Sequence, residues 1–167
     1  MSRATAVDYD VVVVGGGLVG ASLASLLADL TPLSIALLDR QVVAAPASPL
    51  LGAATTPFQF GLRVSAISKA TWRLLELLRA RPDPRGLCAY ERMVVWEGTG
   101  GGRIEFDCAR MAESSLGYIV DNHSLLNAFY EVLQGQGQVT QIAPTGVAGL
   151  SLGGAAREPI TVQLDDG

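Results

Sequence analysis

Val11-Val12-Val13-Val14-Gly15-Gly16-Gly17-Leu18-Val19-Gly20 decides the reading of this chain, with Ala21-Ser22-Leu23-Ala24 directly after it. Four β-branched residues in a row predict a strand buried on both faces. Gly15, Gly17 and Gly20 then fall at G-x-G-x-x-G spacing. Residues 18–30 have helical composition, so the stretch reads strand, turn, helix: the entry of a dinucleotide-binding βαβ unit. In that geometry Gly15 permits the tight turn and Gly17 lets the backbone approach a pyrophosphate. Gly20 lets the helix lie close to the strand. The N–H groups of Leu18 and Val19, at the positive end of the helix dipole, face the phosphates.

A second apolar run, Leu33-Ser34-Ile35-Ala36-Leu37-Leu38, ends in Asp39. That acid stands at the distance expected for a residue that hydrogen-bonds a ribose, and it suits a ribose without a phosphate. The plainer role for Asp39 is a solvated strand end.

The chain has 167 residues, enough for one domain of ordinary size. Hydrophobic residues make up 49% and charged residues 17%, which places it among folded chains. A net charge of −4 without a basic patch argues against nucleic acid as a partner. Cys88 and Cys108 have neither C-x-x-C spacing nor histidines around them, which argues against a disulfide framework or a zinc site. His123 is the only histidine, and no nucleophile elbow accompanies it. Residues 11–30 are apolar over a membrane-spanning length. Asp8 and Asp10 precede that run, a glycine triplet interrupts it and Asp29 sits near its end, so neither a span nor a signal sequence fits.

In chain order the pattern predicts a strand at 10–14, a helix at 18–28 and a strand at 34–39, joined by a right-handed crossover. Residues 41–61 form a long connection rich in Pro, Gly, Ala, Ser and Thr. Ser68 is a predicted N-cap for a helix from 69 to about 80, with Leu74, Leu75 and Leu78 as its apolar face. Residues 92–97 and 103–106 read as a hairpin around Gly98-Thr99-Gly100-Gly101-Gly102. A strand at 116–120 leads to a helix capped by Asp121 or Asn122 and running to about 133. Residues 139–142 read as a third parallel strand, and 147–152 with 160–164 as an antiparallel pair.

Taken together, several segments resemble one family. They are residues 11–20, Leu38-Asp39-Arg40, Leu62-Arg63-Val64-Ser65-Ala66-Ile67-Ser68, Gly102-Arg103-Ile104-Glu105-Phe106-Asp107 and Leu116-Gly117-Tyr118-Ile119-Val120-Asp121-Asn122. They resemble the N-terminal part of the aromatic-ring hydroxylases of ubiquinone biosynthesis. These are FAD-dependent monooxygenases related in fold to para-hydroxybenzoate hydroxylase. The glycine motif is shared with many flavoproteins; the segments at 63–68 and 116–122 are more specific. The resemblance implies an α/β fold: a Rossmann-like FAD-binding domain whose parallel sheet has a βαβ entry, plus an antiparallel β-meander. Such hydroxylases are much longer and carry further cofactor motifs. The expectation is therefore a truncated chain, inactive as a monooxygenase by itself, with 1–167 as the N-terminal part of an FAD-binding domain and 84–120 contributing to a substrate-side β-sheet.

The resemblance further implies FAD as cofactor, NAD(P)H as reductant and a polyprenylated phenol as substrate. It implies a ubiquinone-biosynthesis protein complex as partner. The expected place is the cytoplasm, or the matrix side of the mitochondrion in a eukaryote, with peripheral membrane association and no span. Gly15, Gly17, Leu18, Val19 and Gly20 would cradle the pyrophosphate, and Asp39 would meet the adenosine ribose. Arg40 lies over the adenine or reaches a phosphate, a surface arginine being the alternative. Arg63 follows the long loop and reaches the cofactor; its cation suits a pyrophosphate or an anionic flavin, and an ion pair is the plainer role. Asn122 meets the ribityl chain or serves as helix N-cap. Val147 offers its backbone to the adenine. No residue is expected to be catalytic, because the cofactor carries the hard step while the protein supplies position, electrostatics and exclusion of water. His123, Trp72 and Trp96 read as structural. The competing readings are another flavin oxidoreductase, a non-catalytic dinucleotide-binding or interaction module, and an NAD-dependent dehydrogenase. The long loop after Asp39 and the hairpin at 92–107 speak against the last.

Overall fold

Asp10 and Ser34 fasten together the beginnings of the first two strands. Ser34 donates its N–H and its hydroxyl to Asp10 Oδ2 at 2.8 and 2.7 Å, and Asp10 N–H reaches Ser34 Oγ at 3.0 Å. From that clamp the strands run parallel. The structure, a computed structural model, describes residues 7–42, 63–153 and 158–165. In chain order the elements are β1 (Val11–Val14), α1 (Leu18–Leu30), β2 (Ile35–Leu38), β3 (Val64–Ser68) and α2 (Lys69–Leu78). There follow β4 (Leu87–Tyr90), β5 (Arg92–Trp96), β6 (Arg103–Asp107), β7 (Gly117–Asp121), α3 (Asn122–Gln134), β8 (Val139–Ile142), β9 (Val147–Ser151) and β10 (Thr161–Leu164). They divide into two compact units. Residues up to 45 join those from 133 onward in one, and residues 46–132 form the other.

The first unit holds a parallel sheet in the order β1-β2-β8 and an antiparallel pair of β9 with β10. β2, the middle strand, is buried throughout. α1 packs through small residues, Ala21, Ala24, Ser25 and Ala28, which recur on one helical face and permit close approach to the sheet. The expectation that β1 is buried on both faces is corrected. Val13 is 7% exposed, but Val14 on the opposite face is 62% exposed. Among the described residues β1 has a strand neighbour only in β2, so a run of valines sits at the sheet edge.

In the second unit β7 lies between β3 and β4, antiparallel to both. β5 and β6 form the expected hairpin, with Met93 opposite Phe106 and Val95 opposite Ile104. Ser68 caps α2 as expected, its Oγ accepting from Thr71 N–H at 3.2 Å. Leu75 and Leu78 are buried with Ile67, Val120, Leu125 and Phe129. β4 was not anticipated: Leu87-Cys88-Ala89-Tyr90 has no clear alternation, and pairing with β7 recruits it. Trp72 stacks at a tilt on Tyr118, with centroids 4.3 Å apart, as a structural ring should. Trp96 does not behave that way; it is 70% exposed.

The long connection expected at 41–61 lies, from residue 43, outside the described residues. Among the described residues no helix is long and apolar enough to cross a membrane. The apolar run at 11–30 is divided between β1, the glycine turn and α1.

Candidate functional site

The turn from β1 into α1 has the backbone geometry that the spacing called for at Gly15 and Gly20, and open space at Gly17. Gly15 has φ +100°, a conformation that L side chains rarely adopt. Its N–H donates to Leu38 O at 2.8 Å, tying the turn to the end of β2. A Cβ on Gly20 would collide with the Gly15 carbonyl oxygen and lie 3.3 Å from Val13 Cγ1, so only glycine permits this helix–strand contact. Gly17 is the opposite case. It has an ordinary φ of −68°, and a Cβ there would meet nothing within 4 Å. The space beside its backbone is open.

Gly17 is also the N-cap of α1, and no side chain caps that helix or places an acid in its first turn. The early N–H groups, those of Leu18 and Val19 among them, therefore have no carboxylate of their own helix to satisfy them. An open glycine beside an uncapped helix start suits an anionic group such as a pyrophosphate. The residues present fit the phosphate portion of FAD.

Asp39 is not a solvated strand end. It is half-buried, and its two oxygens are divided between backbone donors: Oδ2 takes Gly16 N–H at 2.6 Å and Oδ1 takes Gln41 N–H at 2.7 Å. Thr145 N–H donates to Asp39 O at 2.8 Å, so the segment after β8 also meets the end of β2. Arg40 is exposed, and its Nε lies 3.0 Å from where a Cβ on Gly146 would stand, beside Asp165 Oδ2. Asp165 N–H in turn reaches Gly146 O at 3.0 Å. Val147 opens β9 opposite Leu164. These contacts gather Asp39, Arg40, Thr145 and Gly146 at the ends of the parallel strands, where open α/β sheets bind ligands.

In the second unit Arg63 and Asn122 meet directly. Asn122 N–H donates to Arg63 O at 3.0 Å, and Ser65 Oγ donates to Asn122 Oδ1 at 2.6 Å. Of the two candidate caps for α3, Asp121 takes the role: its Oδ1 accepts from Ser124 N–H at 2.9 Å. Asn122 is the first helical residue, so the cap reading for it is withdrawn. Arg63 is exposed, and among the described residues the ion pairs are Lys69–Glu113, Arg85–Asp83, Arg92–Glu105 and Arg103–Glu105, none of them holding it. His123 is exposed beside the cluster. Among the described residues no group of side chains could hold a metal ion.

Sequence reading passed over Gly16, Thr145, Gly146 and Ser65. Ser65 stands inside the distinctive segment at 63–68, but its partner is 57 residues away and no local spacing reveals it.

A family model described as FAD dependent oxidoreductase matches residues 10–166. Human ubiquinone biosynthesis monooxygenase COQ6, a mitochondrial protein by its name, is 32% identical over 131 residues, covering 75% of this chain and 26% of the relative. The 3-demethoxyubiquinol 3-hydroxylase of Escherichia coli K12 is 29% identical over 150 residues, covering 84% of this chain and 34% of the relative. The chain thus spans about a quarter to a third of these relatives' length. The crystal structure of pqsL, "a probable FAD-dependent monooxygenase" from Pseudomonas aeruginosa, matches with a TM-score of 0.61 at 20% identity. It covers 95% of this chain and 39% of that one, a likeness of fold. The chain belongs to the FAD-dependent oxidoreductase family, and its curated relatives named here are ubiquinone-biosynthesis hydroxylases.

Proposed function

We propose that this chain supplies the dinucleotide-cradling part of an FAD- and NAD(P)H-dependent monooxygenase that hydroxylates an aromatic ring of a polyprenylated ubiquinone precursor. The observation that carries the reading is the open backbone at Gly17 beside an uncapped α1. Gly15, Gly17 and Gly20 shape the turn, and the N–H groups of Leu18 and Val19 hold the pyrophosphate. A carboxylate oxygen has room for a second donor, so Asp39 accepts from the adenosine ribose while keeping Gly16 and Gln41. Arg40 and the backbone of Val147 attend the adenosine. Arg63 and Asn122 serve the pyrophosphate or the ribityl chain. When bound, FAD would supply the redox chemistry, with NAD(P)H as reductant, and the residues named above would hold and orient it.

The similarity to ubiquinone-biosynthesis hydroxylases supports the substrate class, and the mitochondrial relatives support a mitochondrial place in a eukaryote, read here as the matrix side. A peripheral position and a ubiquinone-biosynthesis protein complex belong to the same reading. The test is titration of the chain with FAD, followed by flavin fluorescence, then incubation with NADPH and a prenylated phenol. Saturable quenching that Gly17→Val abolishes supports the cofactor assignment, and NADPH oxidation without hydroxylated phenol fits a chain that supplies only this part, whereas tightly coupled hydroxylation by this chain alone would overturn that partial role. Equal quenching by both proteins would remove the glycine turn from the site.

A further inference from the structure

We propose that Ser65 is a positioning residue that fixes the side-chain amide of Asn122 as a hydrogen-bond donor toward the cofactor, an inference that rests on the reading of Asn122 as a cofactor contact. A side-chain amide has an accepting oxygen and a donating nitrogen of nearly equal size; a serine hydroxyl can meet either, and in this structure it meets the oxygen. Here the Ser65 hydroxyl donates to Asn122 Oδ1 at 2.6 Å. The oxygen is thereby turned to β3, and the Nδ2 hydrogens carry the donor capacity of the group. Both side chains are half-buried, so the pair is partly shielded from water.

Three further contacts make this orientation specific. Ser65 stands opposite Val120 in the β3–β7 ladder, which places it beside the end of β7, where Asn122 follows. The backbone N–H of Asn122 is taken by Arg63 O at 3.0 Å, which fixes where its side chain begins. Asp121 caps α3, so the helix does not need the Asn122 side chain. The amide is held by a side-chain hydroxyl although helix formation makes no use of it. Phosphate oxygens and flavin carbonyls are acceptors, and a ribityl hydroxyl accepts as well as donates, so a donor amide matches each of them. A reversed amide would set its oxygen against a phosphate or carbonyl oxygen, and only a ribityl hydroxyl could answer it.

The experiment uses the full chain and two ligands, FAD and ADP; ADP lacks the flavin and the ribityl chain. Removing one neutral hydrogen bond of this kind changes affinity about three- to tenfold. Ser65→Ala should weaken FAD binding by that factor and leave ADP binding unchanged. Ser65→Thr should restore FAD affinity. Ser65→Val, of the same shape as threonine but without the hydroxyl, should not, and this pair decides the matter if Ser65→Ala folds poorly. Asn122→Ala should weaken FAD at least as much, and adding Ser65→Ala to it should cost nothing more. Equal loss of FAD and ADP in Ser65→Ala would make Ser65 a part of the fold only and overturn the proposal. Weak FAD binding in Asn122→Ala with full affinity in both Ser65→Ala and Ser65→Val would overturn it alone. Full affinity in Asn122→Ala, or no FAD binding by the unaltered chain, would overturn the underlying reading and the proposal together.

Discussion

Gly16 N–H donates to Asp39 Oδ2 at 2.6 Å across 23 residues of sequence. The acid that spacing assigns to a ribose therefore also shapes the turn assigned to the pyrophosphate. Its other oxygen holds Gln41 N–H at 2.7 Å, and Gly15 N–H holds Leu38 O at 2.8 Å. The end of β2 and the glycine turn are bound together at two points, one main-chain and one through the Asp39 side chain. A substitution at Asp39 consequently acts on the loop as well as on the ribose contact proposed for it.

Asp39→Ala should weaken FAD by about 1.5–3 kcal/mol, the range for a hydrogen bond to a charged group. The loss should extend to ADP, which carries the same adenosine ribose. Asp39→Asn retains one accepting oxygen and should fall between the two. Isothermal titration of the three proteins with both ligands measures this. Unchanged FAD affinity in Asp39→Ala would remove the residue from the site.

Gly17 and Gly20 should fail in different ways. Gly17→Val meets open space at an ordinary φ, so the fold should survive, with a loss in cap preference of about 1 kcal/mol. FAD binding should disappear, because the side chain fills the phosphate's approach. Gly20→Ala drives a Cβ into the Gly15 carbonyl, and the helix must move away. Overpacking of that kind costs about 1–3 kcal/mol. Urea midpoints and FAD titration separate the two outcomes. A Gly20→Ala protein as stable as the unaltered chain would contradict the packing described.

What the sequence made legible was local. The valine run, the glycine spacing, the Ser68 cap and the Gly98–Gly102 turn each carry their information within a few residues, and each appears where expected. What escaped depends on distant partners. β4 exists because β7 offers it an edge, and Val14 is exposed because β1 has one strand neighbour among the described residues. The Asp39–Gly16 and Ser65–Asn122 bonds join residues 23 and 57 positions apart. The composition of either segment is silent about them. The choice between Asp121 and Asn122 as cap was open for a similar reason: both residue types cap well, and only the bond to Ser124 N–H separates them.

That choice is itself testable. Asp121→Ala removes the acceptor for Ser124 N–H at a position only 1% exposed, and should cost about 0.5–2 kcal/mol of stability. Asn122→Ala should cost less, since the helix does not use that side chain. Chemical denaturation of both proteins without ligand gives the comparison. A larger loss in Asn122→Ala would reverse the assignment.

The last prediction concerns acid. Asp10 titrates below the ordinary aspartate range because Ser34 N–H, and after it the Ser34 hydroxyl, donate to its carboxylate; slight burial works the other way. The folded chain thus prefers the ionised form more than the unfolded chain does. The resulting stability is complete above the ordinary aspartate pKa and is lost as pH falls through that value and past the folded one. Asp83 and Glu113 are lowered too, by Arg85 and Lys69 respectively, so an acid slope in the unaltered chain alone does not isolate Asp10. The difference from Asp10→Asn does. Thermal midpoints measured from about pH 6 down to about pH 3 should fall more steeply in the unaltered chain than in Asp10→Asn, and the two curves should converge at the acid end. Because the clamp sits at the start of β1 and β2, the amides exposed first should be those of Asp10, Val11 and Ser34, with the glycine turn at the opposite end of β1 retained. Hydrogen exchange across the same pH series reads that order. Parallel curves for the two proteins would show that the Asp10–Ser34 bonds contribute nothing that depends on the charge.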